Sequence, residues 1–226
     1  TIPNPKRKNA KPMQDRIEFT RDMKRDYTIL IPNMLPVHLK LVRDVFQLHG
    51  YRMELLQNEG PSVVETGLKY VHNDTCYPAL LCIGQFIDAL QSGKYDVHKT
   101  ALIITQTGGG CRASNYIFLL RKALVKAGLG FVPVISLNPV GLEKNSGFKL
   151  TLTVLLQAMM MILYADVLMC LKNQVEPYEN EKGACAALVD AWADRLTEQF
   201  RRNPRAAALR FRGNVAQIAR DFDAVP

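Results

Sequence analysis

The apolar residues of this chain follow two alternating arrangements from Tyr27 onward. Short apolar runs, each of which predicts a buried β-strand, occur at 27–31, 51–56, 100–105 and 132–137. Between and after these runs, apolar residues recur every three or four positions, as on one face of an amphipathic helix. The helical segments are 37–48, 63–70, 79–90 and 117–125. Strands that alternate with helices indicate an α/β domain with a parallel sheet and right-handed crossovers.

The pattern becomes helical beyond Gly141. Residues 150–169 are rich in Leu and Met, and residues 184–202 carry an amphipathic face. Polar residues such as Gln157 and Asp166 interrupt the first segment, which leaves fewer than the roughly 20 apolar residues of a membrane span. We therefore expect this helix to be buried in the core or against a partner. The predicted organisation is a basic arm or linker at 1–26, an α/β domain at 27–140 and a mainly helical extension at 141–226.

The formal net charge of +8 is concentrated at the two ends of the chain. The first 26 residues hold eight Lys and Arg against four acidic residues, and a second basic excess lies between 201 and 220. No aromatic residues are interleaved with these charges, as a base-stacking surface would require. We therefore expect solvated or docking surfaces at the ends, and no nucleic acid partner.

Five cysteines, an odd number without regular spacing, argue against a secreted disulfide framework. The Lys/Arg-rich N-terminus is not followed by the apolar stretch of a signal peptide. We therefore expect a cytoplasmic location, where paired cysteines serve metal binding or redox chemistry more often than structural disulfides. The chain begins at Thr1 without Met, which fits a piece of a larger protein.

Two of the cysteines occupy matching places in the pattern. Cys76 and Cys111 each lie in a polar or glycine-rich loop that leads directly into a predicted helix. The free N–H groups and the helix dipole at such a place favour the thiolate, which binds metals and attacks electrophiles. The spacing alone leaves open that both are ordinary residues at helix starts. Neither a Cys-x2-4-Cys zinc knuckle nor the spacing of compact ferredoxins occurs.

The residues around the two cysteines strengthen the prediction of a binding site. Gly108, Gly109 and Gly110 have no side chains, so their N–H groups can approach a bulky anionic ligand closely. A phosphate cradle, for example for a coenzyme A tail, is the rival interpretation, although the loop is neither a Walker A motif nor G-x-G-x-x-G. Asn73 and Ser114 are candidates for the same site, with helix capping as the alternative.

The remaining three cysteines are weaker candidates for a binding site. Cys82 and Cys170 fall in apolar segments, so we expect both to be small core residues. Cys185 lies near the start of a predicted helix and is the best internal candidate for a third ligand, although a core position is favoured. His72 precedes Cys76 by four residues and is a candidate for supporting it.

Two long motifs resemble the acyl-CoA dehydratase activase-related proteins, relatives of the 2-hydroxyacyl-CoA dehydratase subunits. They are residues 73–80 (NDTCYPAL) and 104–116 (ITQTGGGCRASNY). Residues 31–36 (IPNMLP) and 134–138 (VISLN) look like the same family, so the resemblance covers nearly all of the chain from Tyr27.

The resemblance implies a Rossmann-like three-layer domain that holds an oxygen-sensitive [4Fe–4S] cluster. Cys76 and Cys111 match cluster cysteines of the dehydratase subunits, and the glycine loop, Ser114 and Asn73 would surround the cofactor. The implied function is ATP-dependent low-potential electron transfer, as part of an acyl-CoA dehydratase or related reductase system. The implied partners are an ATP-dependent activase and a CoA thioester substrate, and an oligomer is left open.

The chain departs from the family pattern at the third cluster cysteine. The dehydratase subunits take this ligand from a more C-terminal domain, and no cysteine follows Cys185 here. Cys185 or Cys170 could substitute, the ligand could lie outside this chain, or the cluster could keep a non-protein ligand. Glu176 also stands where a basic residue is expected. The alternative function is a non-catalytic scaffold or a domain that binds CoA or another anion without a cluster.

Overall fold

The structure is a computed structural model that describes residues 16–72, 74–106, 111–138, 143 and 145–225. Its centre is a four-stranded parallel sheet in the order β2-β1-β3-β4. The strands are β1 (Thr28–Ile31), β2 (Arg52–Leu55), β3 (Thr100–Thr105) and β4 (Val134–Leu137). Each of the four apolar runs forms a strand at its predicted place, which confirms the α/β fold with a parallel sheet.

Helices cover both faces of the sheet. They are α1 (Met23–Asp26), α2 (Pro36–Leu48), α3 (Pro61–Tyr70), α4 (Tyr77–Gln91), α5 (Tyr116–Lys126), α6 (Leu152–Val175), α7 (Ala184–Arg202), α8 (Pro204–Leu209) and α9 (Phe211–Asp223). Short 3-10 helices lie at Val97–Lys99, Arg112–Asn115 and Glu176–Tyr178. The mainly helical C-terminal part is therefore confirmed. Helices α8 and α9 within it were not predicted individually.

The two faces of the sheet belong to two separate apolar clusters. Successive strand residues point to opposite faces, so Ile29 and Ile31 pack with α2, α6, α7 and α9, whereas Leu30 packs with α4 and α5. Three layers result, with the C-terminal helices on the α2 face. Because the helical extension buries the sheet's own residues, it forms one core with the strands.

The segment before β1 also joins this core. Phe19 is fully buried, and its N–H group donates to the Asn145 Oδ1 atom at 3.2 Å. Gly147 packs so closely against the Thr20 backbone that an added Cβ would overlap it. The described end of the predicted arm, residues 16–26, therefore packs against the protein, because one large apolar side chain anchors it.

One helical stretch in the described part of the chain, Leu152–Tyr178, is long and apolar enough to cross a membrane by length and composition alone. About a third of its most apolar window is buried. The core helix of a soluble protein meets the same test, so this single helix is weak evidence. The prediction of no membrane stays a prediction.

The strand order places a crevice at the carboxyl edge of the sheet. From β1 the chain moves outward to β2 through α2, and from β3 it moves outward to β4 through α5 on the opposite face. The order therefore reverses between β1 and β3, and ligands of open α/β sheets bind at such a reversal. The loop after β3 carries Cys111.

Candidate functional site

Both candidate cysteines begin helices in the structure. Cys76 precedes α4, where Pro78 occupies the first turn, and the N–H groups of Ala79 and Leu80 donate to the Cys76 carbonyl oxygen. Cys111 precedes the 3-10 helix that leads into α5, and its Sγ atom accepts a long hydrogen bond, 3.5 Å, from the Ala113 N–H group. The second helix start is thus capped by the thiol itself.

Tyr116 brings these two loops together. Its phenol oxygen lies 3.0 Å from the Cys76 Sγ atom, at hydrogen-bonding distance, and the residue is buried at the start of α5. The pKa of the Tyr116 phenol is raised by burial, then by the bond to Cys76, and then by the negative charges that thiolates at Cys76, Cys82 and Cys111 would carry. The contact with Cys76 is the geometric link between the loops, because Cys111 begins the short 3-10 helix that leads directly into Tyr116.

The three thiols differ in access. Cys111 is exposed, Cys76 is half-buried and Cys82 is buried in α4. Burial, and after it the charge of neighbouring Cys76, raises the pKa of Cys82 to about 11. Cys82 is thus a core residue, as expected, but sequence reasoning missed its place beside Cys76. The two cysteines are six residues apart, which is not a shared helix face, so periodicity carried no signal of their proximity.

A polar network joins the end of β3 to the end of β4. Ser136 Oγ donates to Gln106 Oε1 at 2.7 Å, and Asn138 Nδ2 donates to Ser136 Oγ at 3.3 Å. Ser114 Oγ donates to the Cys111 carbonyl oxygen at 2.7 Å. Ser114 therefore shapes the turn that carries Cys111. Its predicted contact with a cofactor stays a prediction.

A cavity of about 500 Å³ lies on the other side of Cys82. Its wall includes Asn33 from the loop after β1, Asn58 from the loop after β2, and Gln85 from α4. Gln85 and Asn58 exchange side-chain-to-backbone hydrogen bonds of 2.8 and 2.9 Å. The Oδ1 atoms of Asn33 and Asn58 are buried without hydrogen-bond partners. The Gln85 Oε1 atom also accepts from the Asn33 backbone N–H group at 2.7 Å. Gln85 thus holds the ends of β1 and β2 on α4, next to Cys82.

The other candidates from the sequence lie elsewhere. Cys170 is exposed on α6, so the prediction of a core residue is wrong there, because α6 is apolar on all sides and its outward face could not be read from composition. Cys185 is fully buried among α2, α6 and α7, on the sheet face opposite Cys76. His72 is exposed and lies 3.3 Å from the Asp74 carboxylate. Asn73 and the glycines 108–110 lie outside the described residues.

The donor set can be compared with the chemistry of a metal centre. Among the residues that the structure describes, no three His, Cys, Asp or Glu side chains are grouped to hold one metal ion. Thiolates are the usual ligands of iron–sulfur clusters, whose ligands lie farther apart than those of a single ion. Two thiols on separate loops, next to a third, fit that chemistry.

The comparisons with known proteins add no assignment. Neither the scan against protein-family models nor the searches of curated proteins and of solved structures found a match to this chain. The family resemblance drawn from the two cysteine motifs therefore stays a prediction.

Proposed function

We propose that this chain is an iron–sulfur domain that takes part in ATP-dependent, low-potential electron transfer, as the resemblance to the dehydratase subunits implies. The observation that carries the proposal is the meeting of two cysteine loops, after β3 and before α4, at the phenol of Tyr116. A cysteine that served only to fill the core would not need a contact with the loop of a second cysteine. The Cys76 thiol contacts Tyr116, and Cys111 begins the short helix that leads into Tyr116, which supports a common ligand for the two thiolates.

Each side chain has a role in this proposal. Cys76 and Cys111 would ligate the [4Fe–4S] group, which when bound supplies one-electron transfer at low potential. The Tyr116 hydroxyl would donate to the Cys76 sulfur, and hydrogen bonds to ligand sulfurs are a known control of cluster potential. The Gln106–Ser136 bond would hold the strand ends in place when the loop takes up its ligand.

The structure changes the ranking of candidates for the third ligand. Cys185 is buried on the opposite sheet face, and Cys170 points outward from α6, whereas Cys82 lies within range of Cys76. Cys82 is therefore the internal candidate that we rank first. Its pKa of about 11 means that ligation would have to displace its proton. A ligand from a partner protein, such as the activase that would supply electrons, is the other arrangement.

Iron and sulfide analysis of anaerobically purified and reconstituted protein tests the proposal. We expect about four iron and four sulfide per chain, with absorbance near 400 nm. Cys76→Ser and Cys111→Ser should each lose most of the iron, and Cys170→Ser should keep it. Cys82→Ser separates the two arrangements of the third ligand, since only an internal ligand would make it lose iron. Circular dichroism of each variant checks that the fold is retained.

Two outcomes would contradict the proposal: wild-type protein that binds no iron after reconstitution, or iron that persists when both Cys76 and Cys111 are Ser. The first outcome would favour the alternative, a scaffold or anion-binding domain without a cluster. One observation favours that alternative: the Cys76 thiol already has a hydrogen-bond partner in Tyr116, so it is satisfied without a metal.

A further inference from the structure

Positive charge lines a cavity at the amino edge of the sheet. The cavity has a volume of about 320 Å³ and lies where the segment before β1, the start of β2 and the start of α6 meet. Three cations, Arg21, Lys24 and Lys149, line it, and no Asp or Glu is among the described residues of its wall. Tyr51 in this wall directly precedes β2, whereas Cys111 follows the carboxyl end of β3. The cavity is therefore separate from the cysteine loops.

The three cations are not neutralised by carboxylates. In the part of the chain that the structure describes, none of them forms an ion pair with Asp or Glu. Glu18 comes near the cavity, but it accepts a hydrogen bond of 2.8 Å from the backbone N–H group of Ser146 and pairs with none of the three. By contrast, each cation of a second cavity, of about 400 Å³, is paired with a carboxylate; these cations are Lys40, Arg43 and Lys172. Unpaired charges of one sign around a cavity attract ions of the opposite sign.

The ammonium group of Lys24 is held in place by neutral groups. Its Nζ atom donates to the His49 carbonyl oxygen at 3.2 Å and lies 3.9 Å from the centroid of the Tyr51 ring, over the face of that ring. A carbonyl group and an aromatic face attract an ammonium without carrying a full negative charge. The ammonium is thus fixed at the cavity while its charge stays uncompensated and further N–H donors remain for a ligand.

Tyr51 contributes a buried hydrogen-bond donor to the same cavity. The residue is 5% exposed, and its ring packs against Phe46 and Phe148 with centroids 5.9 and 5.2 Å away. Its hydroxyl oxygen accepts a hydrogen bond of 3.0 Å from the Lys149 backbone N–H group. The hydroxyl hydrogen itself has no acceptor among the described residues. Since buried polar groups ordinarily find a partner, an acceptor atom in the cavity would complete the hydrogen bonding of Tyr51.

The start of α6 adds to this positive potential. Thr151, the N-cap residue of α6, lines the cavity, and its Oγ1 atom accepts from the Val154 N–H group at 3.3 Å. The N–H groups of Leu152 and Thr153 lie within the first turn, where the helix itself supplies no acceptor. The positive end of a 24-residue helix therefore lies beside the three cations, which supports binding of an anion by them.

We propose that this cavity binds a small, soluble, phosphate-bearing ligand. Arg21, Lys24 and Lys149 pair with its anionic oxygens, and the Tyr51 hydroxyl donates to one of them. At neutral pH a phosphate ester carries about −1.5 to −2 charges and three acceptor oxygens, which suits several cations and a hydroxyl donor better than a single carboxylate does. The planar fork of an arginine also matches the oxygens of a phosphate group. A volume of about 320 Å³ has room for a phosphate with a small organic body.

Titration of the full chain with inorganic phosphate and with glycerol 3-phosphate tests the proposal. Amide chemical shifts at constant ionic strength report binding, and we expect saturable changes around residues 51 and 149–153. Lys24→Met keeps the apolar stem over Tyr51 and removes the charge, so it should weaken binding about tenfold. Tyr51→Phe removes only the donor and should weaken it roughly fivefold. Arg25→Gln removes a neighbouring exposed charge that does not line the cavity, and it should bind as the wild type does.

Three outcomes would overturn the proposal. The first is the absence of saturable binding of both probes. The second is equal weakening in Lys24→Met and Arg25→Gln, which would reflect net charge rather than a site. The third is binding to vesicles that contain phosphatidic acid without binding of glycerol 3-phosphate, which would indicate a lipid surface. Thermal unfolding checks the fold of each variant. If Lys24→Met is unfolded, Lys149→Gln, at an exposed residue, takes its place with the same expected loss of affinity.

Discussion

The Sγ atom of Cys76 and the phenol oxygen of Tyr116 are 3.0 Å apart and join the start of α4 to the start of α5. These helices belong to successive crossovers of the sheet, so the bond connects the two cysteine loops at one place. Tyr116 is held there by burial in the apolar cluster of α4 and α5. The position of Cys76 is thus set by a residue 40 positions later in the chain.

The pKa of Tyr116 should respond to Cys76. Burial, the hydrogen bond and the nearby thiols raise this pKa above its ordinary value near 10. In Cys76→Ala the bond and one negative charge disappear while burial remains, so the phenol should ionise at lower pH. Absorbance at 295 nm during alkaline titration, with Tyr116→Phe to assign the signal, measures the shift. Cys170→Ala is the control, and an unchanged titration in Cys76→Ala would show that the bond does not form in solution.

Stability should fall in alkali because of Cys82. Its pKa is about 11 in the folded protein against an ordinary value near 9. The unfolded chain therefore loses this proton first, and the free energy of unfolding falls as pH rises from 9 to 11. Two pKa units correspond to about 2–3 kcal/mol. Urea unfolding of Cys82→Ala should show a shallower decline than the wild type. The unfolding free energy of Cys170→Ala should fall with pH as in the wild type. Equal slopes for all three proteins would refute the link between Cys82 ionisation and stability.

Two glycines should respond in opposite directions to alanine. At Gly84 an added Cβ would overlap the Val63 carbonyl oxygen and lie 2.9 Å from the Gly67 nitrogen, because α3 and α4 cross in contact there. Gly84→Ala should cost about 2–3 kcal/mol of unfolding free energy, as overpacking does. Gly213 lies in α9 with open space around its Cα, so Gly213→Ala should stabilise by about 0.5–1 kcal/mol. Urea midpoints measure both, and a neutral Gly84→Ala would contradict the close crossing.

The ion pair of Arg121 and Glu143 should govern part of the acid stability. Burial opposes the Glu143 charge, but hydrogen bonds and charge from Arg121, together with Arg16, outweigh it and lower the pKa. The unfolded chain then takes up this proton first, so the free energy of unfolding falls as pH drops below about 4.5. Glu143→Gln should flatten this part of the profile. Exposed Glu181→Gln is the control, and an unaltered acid slope in Glu143→Gln would rule the pair out.

Local pattern was sufficient for the elements of the sheet. The run 100–105 became β3 with the same bounds, because apolar β-branched residues between polar ends favour one buried strand. Pro36, Pro61 and Pro78 lie in the first turns of their helices, where proline costs nothing. These preferences act over a few residues and need no distant partner.

The faces of elements were harder to predict. The segment 150–169 was predicted as a helix, and α6 extends beyond it to Val175, where Lys172 and Glu176 form an ion pair. The helix is apolar on all sides, so its sequence has no periodic pattern that distinguishes the exposed Cys170 from the buried Met161. Only the packing of α2, α7 and α9 decided this.

The sequence by itself determined the α/β order of elements, the helix-start positions of Cys76 and Cys111, and the apolar character of α6. Only the tertiary structure decided that Tyr116 contacts Cys76, that Cys82 lies near enough to Cys76 to feel its charge, and that Cys185 is on the opposite face of the sheet. The physical reason is the distance along the chain over which each interaction acts. Strand and helix preferences are local, whereas the neighbours of a thiol depend on chain segments that meet only when both faces of the sheet are covered.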